Sequence, residues 1–420
     1  MGKVNWLTTL LVLFLLSSNI FLTLGIESAK GNPSTFISIQ LSGSIAVSNM
    51  MKLHVEGTKI VDELGREVKL TGFNSYGRWV DWTRNTDSWN MVPPPPGVTL
   101  GQRGDDLIWM KAHGFNSIRA LMFWEFFEPV EGTYDEAAFA HLDALVDACE
   151  QLGIYVMLES THWFWSPQFP GGRGFPAWTA VDYPATTSGS HDFALDFLTN
   201  NGSAAAARPK FVNIWKYIAQ RYSNRTNVIY DFLNEAWNVP QRTGSEEAAA
   251  ITGYCDFFNN EVTPAIRAID PLTMITYPAY SWVTPLKKQT HDNIAWTFSM
   301  YSYNQAHLGR PYDSVVDGPK IRVLYESLKQ KIETEFGSVI ILSEVGAGPG
   351  APDTYNENNL LWLNDALAIQ KEVFGPTASW MYWLYGKNAD VTGERHVPRY
   401  NWGTPPILDA PLVGILDDYT

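Results

Sequence analysis

The sequence predicts an α/β fold, a closed (β/α)8 TIM barrel preceded by an N-terminal β-hairpin, and three observations carry the prediction. First, eight short apolar runs recur along the chain with helical patterns between them. Second, these runs are continuously apolar rather than alternating, as in strands buried on both faces of a parallel sheet covered by helices. Third, two of them deliver a glutamate. VIYDFL at 228–233 runs into Asn234-Glu235, and SVIILS at 338–343 runs into Glu344. Active sites of parallel barrels lie at the C-terminal rim of the strands. An open doubly wound sheet is the structural competitor, but no Gly-rich phosphate loop follows the first strand.

The elements follow in order. KIVDELGREVKLTG at 59–72 places two β-type runs around a Gly-bearing turn, the signature of a hairpin. Strands are predicted at 68–74, 115–121, 154–159, 228–233, 272–277, 293–300, 339–343 and 378–384. Helices are predicted at 103–113, 135–152, 209–222, 246–269, 320–336 and 358–374. The prolines at 93–96 form a stiff surface loop. No linker, repeat or charge run divides the chain from residue 52 onward, so 52–420 is one catalytic barrel.

Upstream, residues 1–29 hold Lys3 and an apolar stretch at 6–26, which is an export signal or an uncleaved anchor near the ~20 residues needed to span a bilayer. Residues 30–51 form a spacer. The expected location is therefore secreted, with membrane anchoring facing outside as the alternative. Cys149 and Cys255 fall in predicted helices, as two buried thiols or one disulfide. The sequons at Asn201 and Asn224 matter only in a glycosylating host. A net charge of −14 argues against nucleic acid, which needs basic surface to neutralise phosphates. The load of 17 Trp, 19 Tyr and 21 Phe serves core packing and also the flat faces that sugars stack on. The eight histidines show no metal-ligand spacing, so no metal and no cofactor are expected. GPGAP at 348–352 lacks the Lys-Ser/Thr of a phosphate loop and reads as a turn beside Glu344.

Two carboxylates at strand ends suit glycoside hydrolysis. One protonates the leaving oxygen; in retaining enzymes the other attacks the anomeric carbon, and the two carboxyls lie roughly 5–5.5 Å apart. Glu235 fits the acid/base and Glu344 the nucleophile. The bland alternative is that each pairs with an arginine at a barrel mouth.

From residue 52 onward the chain resembles glycoside hydrolase family 5, the cellulase and mannanase family. The resemblance is carried by the opening hairpin with TGFN at 71–74 and by HGFNSIRALMFWEFFEP at 113–129. It continues through NVIYDFLNEAW at 227–237, VIILSEVG at 339–346 and SWMYWLYG at 379–386. The resemblance implies a retaining endo-β-glycanase acting on a β-1,4-linked polysaccharide, with glucan expected and mannan the alternative; a monomer is expected. It further implies that Arg119 orients Glu344, that Asn234 binds the sugar 2-hydroxyl, and that Trp383 forms the platform under the sugar, with Trp380 packing in the wall. The chain departs from the family in three places. Ala236 stands where proline follows the acid/base. Tyr301 stands where the family has histidine, leaving Tyr303 to touch the nucleophile. His162, expected to bind sugar, lies one position out of register. Trp124, Trp163, Trp165, Trp237 and Trp282 are candidates for a long stacking cleft. From a different class, a non-catalytic carbohydrate-binding barrel would fit the same fold.

Overall fold

Eight parallel strands close into a barrel. In the computed structural model these are β3 (Thr71–Ser75), β4 (Ser117–Met122), β5 (Tyr155–Ser160), β6 (Val228–Asp231), β7 (Ile275–Pro278), β8 (Ile294–Tyr301), β9 (Ile340–Gly346) and β10 (Ser379–Tyr385). Around the barrel they run in the order β10-β3-β4-β5-β6-β7-β8-β9. The structure describes residues 50–75, 104–236, 239–240, 242–279, 286–302, 312–346, 357–385 and 410–420. Residues 1–49 with the expected export segment and most of the expected spacer, the prolines at 93–96, Trp237, Trp282, Tyr303 and residues 348–352 lie outside them. All eight expected strands are present.

The hairpin differs from expectation. Its strands are β1 (Leu53–Glu56) and β2 (Lys59–Asp62), paired antiparallel around Gly57, whose φ of 60° suits the turn. The turn expected at Gly65 contributes a single bridge, Val61 to Glu67. There the Asp62 carboxylate accepts from the Leu64 and Arg66 amides and holds a tight local turn. Leu53 and Ile60 of the hairpin, with Leu70, pack against Met157, Ile229, Ile341 and Met381 from four barrel strands. The hairpin thereby closes the N-terminal mouth and leaves the opposite rim for chemistry.

Helices cover the barrel where the apolar periodicity placed them. Glu136–Leu152 is capped by Asp135, which accepts from the amides of Ala137 and Ala138, and ends on Gly153 at φ 71°. Gly244–Phe257 opens with a capping box between Thr243 and Glu246. Thr187–Thr199 was not expected; it lies inside the long connection after β5, capped by Thr186. Cys149 and Cys255 are free and buried, and burial pushes the Cys255 thiol up to about 12. Both act as small apolar side chains.

β9 carries the structural device that matters most. Ile341 faces the barrel interior, so strict alternation would turn Ser343 inward and Glu344 outward. Against β8, however, Thr297 and Ser299 pair with Ile341 and Glu344. Against β10, Trp380 and Tyr382 pair with Leu342 and Val345. Both neighbours see one extra residue in β9, a bulge that re-aims the strand and delivers Glu344 to the interior.

Candidate active site

Arg119 on β4 is the hub. It is 1% exposed and spends its fork on four acceptors. Nε donates to Asp231 Oδ2 at 2.8 Å, and Nη1 donates to Glu344 Oε1 at 2.6 Å and Asn74 Oδ1 at 3.1 Å. Nη2 donates to Asn234 Oδ1 at 3.0 Å. A guanidinium in a rigid fork is the side chain that can hold several acceptors at fixed angles. Burial opposes its charge, but Glu159, Asp231 and Glu344 together raise its pKa above the ordinary value. Asn74 in turn donates to the Ser343 carbonyl at 2.7 Å, tying β3 to the bulged stretch of β9.

Glu344 is held on both oxygens, since the Tyr301 hydroxyl donates to Oε2. Among the described residues the tyrosine on Glu344 is Tyr301, which stands where the family has histidine; Tyr303, expected to touch the nucleophile, lies outside the described residues. The reason is register. β8 runs to Tyr301, which pairs with Gly346, two residues beyond the pair Ser299–Glu344 and on the same face. Gly346 makes room for it: a Cβ there would sit 2.6 Å from the Tyr301 ring. Tyr301 also meets the Trp383 ring edge-on at 6.4 Å, and with Leu121 the pair forms a small apolar cluster.

Glu235 follows β6 in a left-handed conformation, φ 39°, which is costly for a residue with a Cβ, about 1–3 kcal/mol. Burial first, and the anionic Glu344 second, push its carboxyl up to about 7, against a hydrogen bond from Ser299. Around neutral pH the site thus holds one carboxyl ready to give a proton beside a second that is gripped by a cation and a hydroxyl.

His162 is buried, with its ring stacked on Trp165 at 4.3 Å and facing the backbone of Asn234 and Glu235. Burial lowers its pKa to about 4, which keeps it neutral. Among the candidate tryptophans, Trp124 and Trp165 are core residues, the former donating to Glu128 at 2.7 Å. Trp163 packs edge-on against Phe123. Trp380 is buried in the wall and donates to the Tyr419 carbonyl at 3.1 Å.

Two further carboxyls stand in the site, neither of them among the residues expected to act there. Asp231 and Glu159 are fully buried and face each other across β5 and β6. Burial pushes Glu159 up to about 8 and also raises Asp231, against the pull of Arg119. The signal that could have found them is a charged residue inside an apolar strand, which demands a buried cation.

A bulge-presented glutamate opposite a second, proton-holding one at the rim of a parallel barrel defines a glycoside hydrolase. The Cellulase (glycosyl hydrolase family 5) profile matches residues 61–389, and the chain belongs to that family. Endoglycoceramidase I of Rhodococcus hoagii is 24% identical over 368 residues, 80% of this chain and 68% of that protein. Mannan endo-1,4-beta-mannosidase 4 of Oryza sativa subsp. japonica is 25% identical over 231 residues, covering 53% of this chain and 44% of its own length. Among solved structures, endo-glycoceramidase II from Rhodococcus sp. superposes with a TM-score of 0.65 at 21% identity, covering 86% of this chain and 81% of that one.

Proposed function

We propose that the chain is a retaining endo-β-glycosidase in which Glu344 is the nucleophile and Glu235 the acid and then the base. The observation that carries this is the electrostatic asymmetry of the pair. Arg119 and Tyr301 grip both oxygens of Glu344, while burial and the neighbouring Glu344 push the Glu235 carboxyl up to about 7. In the first step Glu344 bonds to the anomeric carbon as Glu235 gives its proton to the departing oxygen. In the second, Glu235 takes a proton from water, whose oxygen bonds to the anomeric carbon and releases Glu344. Asn234, fixed through its Oδ1 by Arg119, leaves its amide NH2 to meet the sugar 2-hydroxyl. Trp383 serves as the platform under the sugar.

The substrate class rests on the relatives. Similarity to endoglycoceramidases over most of the chain favours a glycan joined through a β-linkage to a lipid. β-1,4-Glucan, which the motifs put first, and β-1,4-mannan stand behind it. A panel of glycosylceramide, glucan, mannan and xylan, scored for free ceramide and for new reducing ends, decides among them. Glu344→Gln is expected to abolish turnover with the fold intact. Substantial remaining activity would refute the nucleophile assignment, and binding to the panel with no turnover by the unaltered chain would make it a carbohydrate-binding barrel. Export through the apolar segment at 6–26 belongs to the same proposal and is checked by N-terminal sequencing of the secreted chain.

A further inference from the structure

The two-carboxylate mechanism leaves Asp231 and Glu159 without a part, although both touch the surroundings of Arg119. They are paired in register across β5 and β6, and neither is exposed at all. They treat Arg119 differently. Asp231 accepts from Nε at 2.8 Å, whereas Glu159 stands 3.9 Å from Nη2, beyond a hydrogen bond, and takes the Thr161 hydroxyl instead. That same Nη2 holds Asn234 at 3.0 Å. The guanidinium therefore has two carboxyl neighbours on one side of its fork, one hydrogen-bonded and one held off, while Nη2 serves Asn234.

We propose that Asp231 is a positioning residue that anchors the Nε edge of Arg119 and so keeps the fork off Glu159 and on Asn234. Recognition of the sugar 2-hydroxyl then depends on an aspartate that does not touch the sugar. Without Asp231, the guanidinium turns toward the nearest remaining carboxylate of β5. Nη2 leaves Asn234, and the asparagine amide loses its fixed orientation. Thr276, in register with Asp231 on β7, offers a hydroxyl but no charge to replace it. This inference rests on the assignment of Asn234 to the 2-hydroxyl.

The test compares kcat/KM of the purified full chain for an aryl β-glycoside and its 2-deoxy counterpart. In Asp231→Ala the preference for the 2-hydroxylated substrate should shrink roughly tenfold or more, within the usual coupling of groups sharing one network. Asp231→Asn, which keeps an oxygen for Nε, should hold the preference within about threefold of the unaltered chain. A folded Asp231→Ala chain that loses activity on both substrates in parallel would overturn the proposal, because a purely structural role acts that way. Asp231→Ser, too short to reach Nε, replaces it if the alanine variant does not fold. A second arm separates this from the Asn234 assignment. Glu159→Gln in the Asp231→Ala background removes the competing carboxyl and should recover part of the kcat lost on the 2-hydroxylated substrate. If the unaltered chain ignores the 2-hydroxyl while this rescue appears, the Asn234 assignment fails and the anchoring role stands; absence of rescue overturns the anchoring role.

Discussion

Replacing Glu235 by glutamine should make the protein more stable at neutral and alkaline pH while removing its acid. A carboxyl raised from 4.5 to about 7 disfavours its anion by about 3 kcal/mol, at 1.36 kcal/mol per tenfold change. Because the folded value is raised, the stabilising contribution is full below about pH 4.5 and is lost as pH rises through about 7. Glutamine has no charge to bury, so the variant does not suffer that loss. The gap in unfolding free energy, variant minus unaltered chain, should open from small at pH 4 to about 3 kcal/mol at pH 8. For a barrel of this length that is about 4 °C in Tm. Part of Glu235 still meets solvent, so this figure is an upper value. Glu159, whose carboxyl is also raised, is present in both proteins and cancels from the difference. Urea unfolding of both across pH 4–9 is the assay, and a gap that does not change with pH would refute the reasoning. In the unaltered chain the same group sets the alkaline limb of kcat/KM near pH 7.

Tyr301→Phe removes the hydroxyl on Glu344, and a hydrogen bond to a charged group is worth about 1.5–3 kcal/mol. The expected loss in kcat/KM is therefore roughly 10- to 150-fold with little change in Tm, and steady-state kinetics check it. Arg119→Met leaves Asp231 and Glu344 without their buried cation and should cost about 3–5 kcal/mol of stability, measured by urea unfolding. An unchanged midpoint would show that those carboxylates do not need it. Gly346→Ala puts a methyl 2.6 Å from the Tyr301 ring. Activity should fall at least as far as in Tyr301→Phe, and a fully active alanine variant would mean that the ring does not need its present place.

The barrel was legible because each strand is a continuous apolar run, as strands covered on both faces must be. The hairpin was misread by one turn: both Gly57 and Gly65 take positive φ, and sequence cannot say which of two adjacent turns carries the ladder. Glu344 was legible as a carboxylate near the end of an apolar run, but not the bulge that turns it inward, since an extra residue leaves no mark in composition. Tyr301 was obscured by a family spacing. Period-two counting from Ser299 along β8 would have found it, had the strand's reach to Tyr301 been known. The Thr187–Thr199 helix was lost inside a long connection rich in small and polar residues. Asp231 and Glu159 are single charges inside runs whose dominant signal is apolarity, which hides their part in the site.

Arg119 has a consequence for how the barrel assembles. Its partners come from β3, from β6 and the residues just after it, and from β9, so the first half of the chain carries the cation and the second half carries most of its acceptors. A fragment holding β3 to β5 would offer Arg119 only Asn74 and Glu159, without Asp231, Asn234 and Glu344. The other half would gather Asp231 and Glu344 with no counter-charge. Neither fragment completes the network alone, which favours closure of the sheet over half-formed intermediates. Co-expressed halves split in the connection between β5 and β6 should regain activity only on association, so turnover itself would report that the barrel has closed.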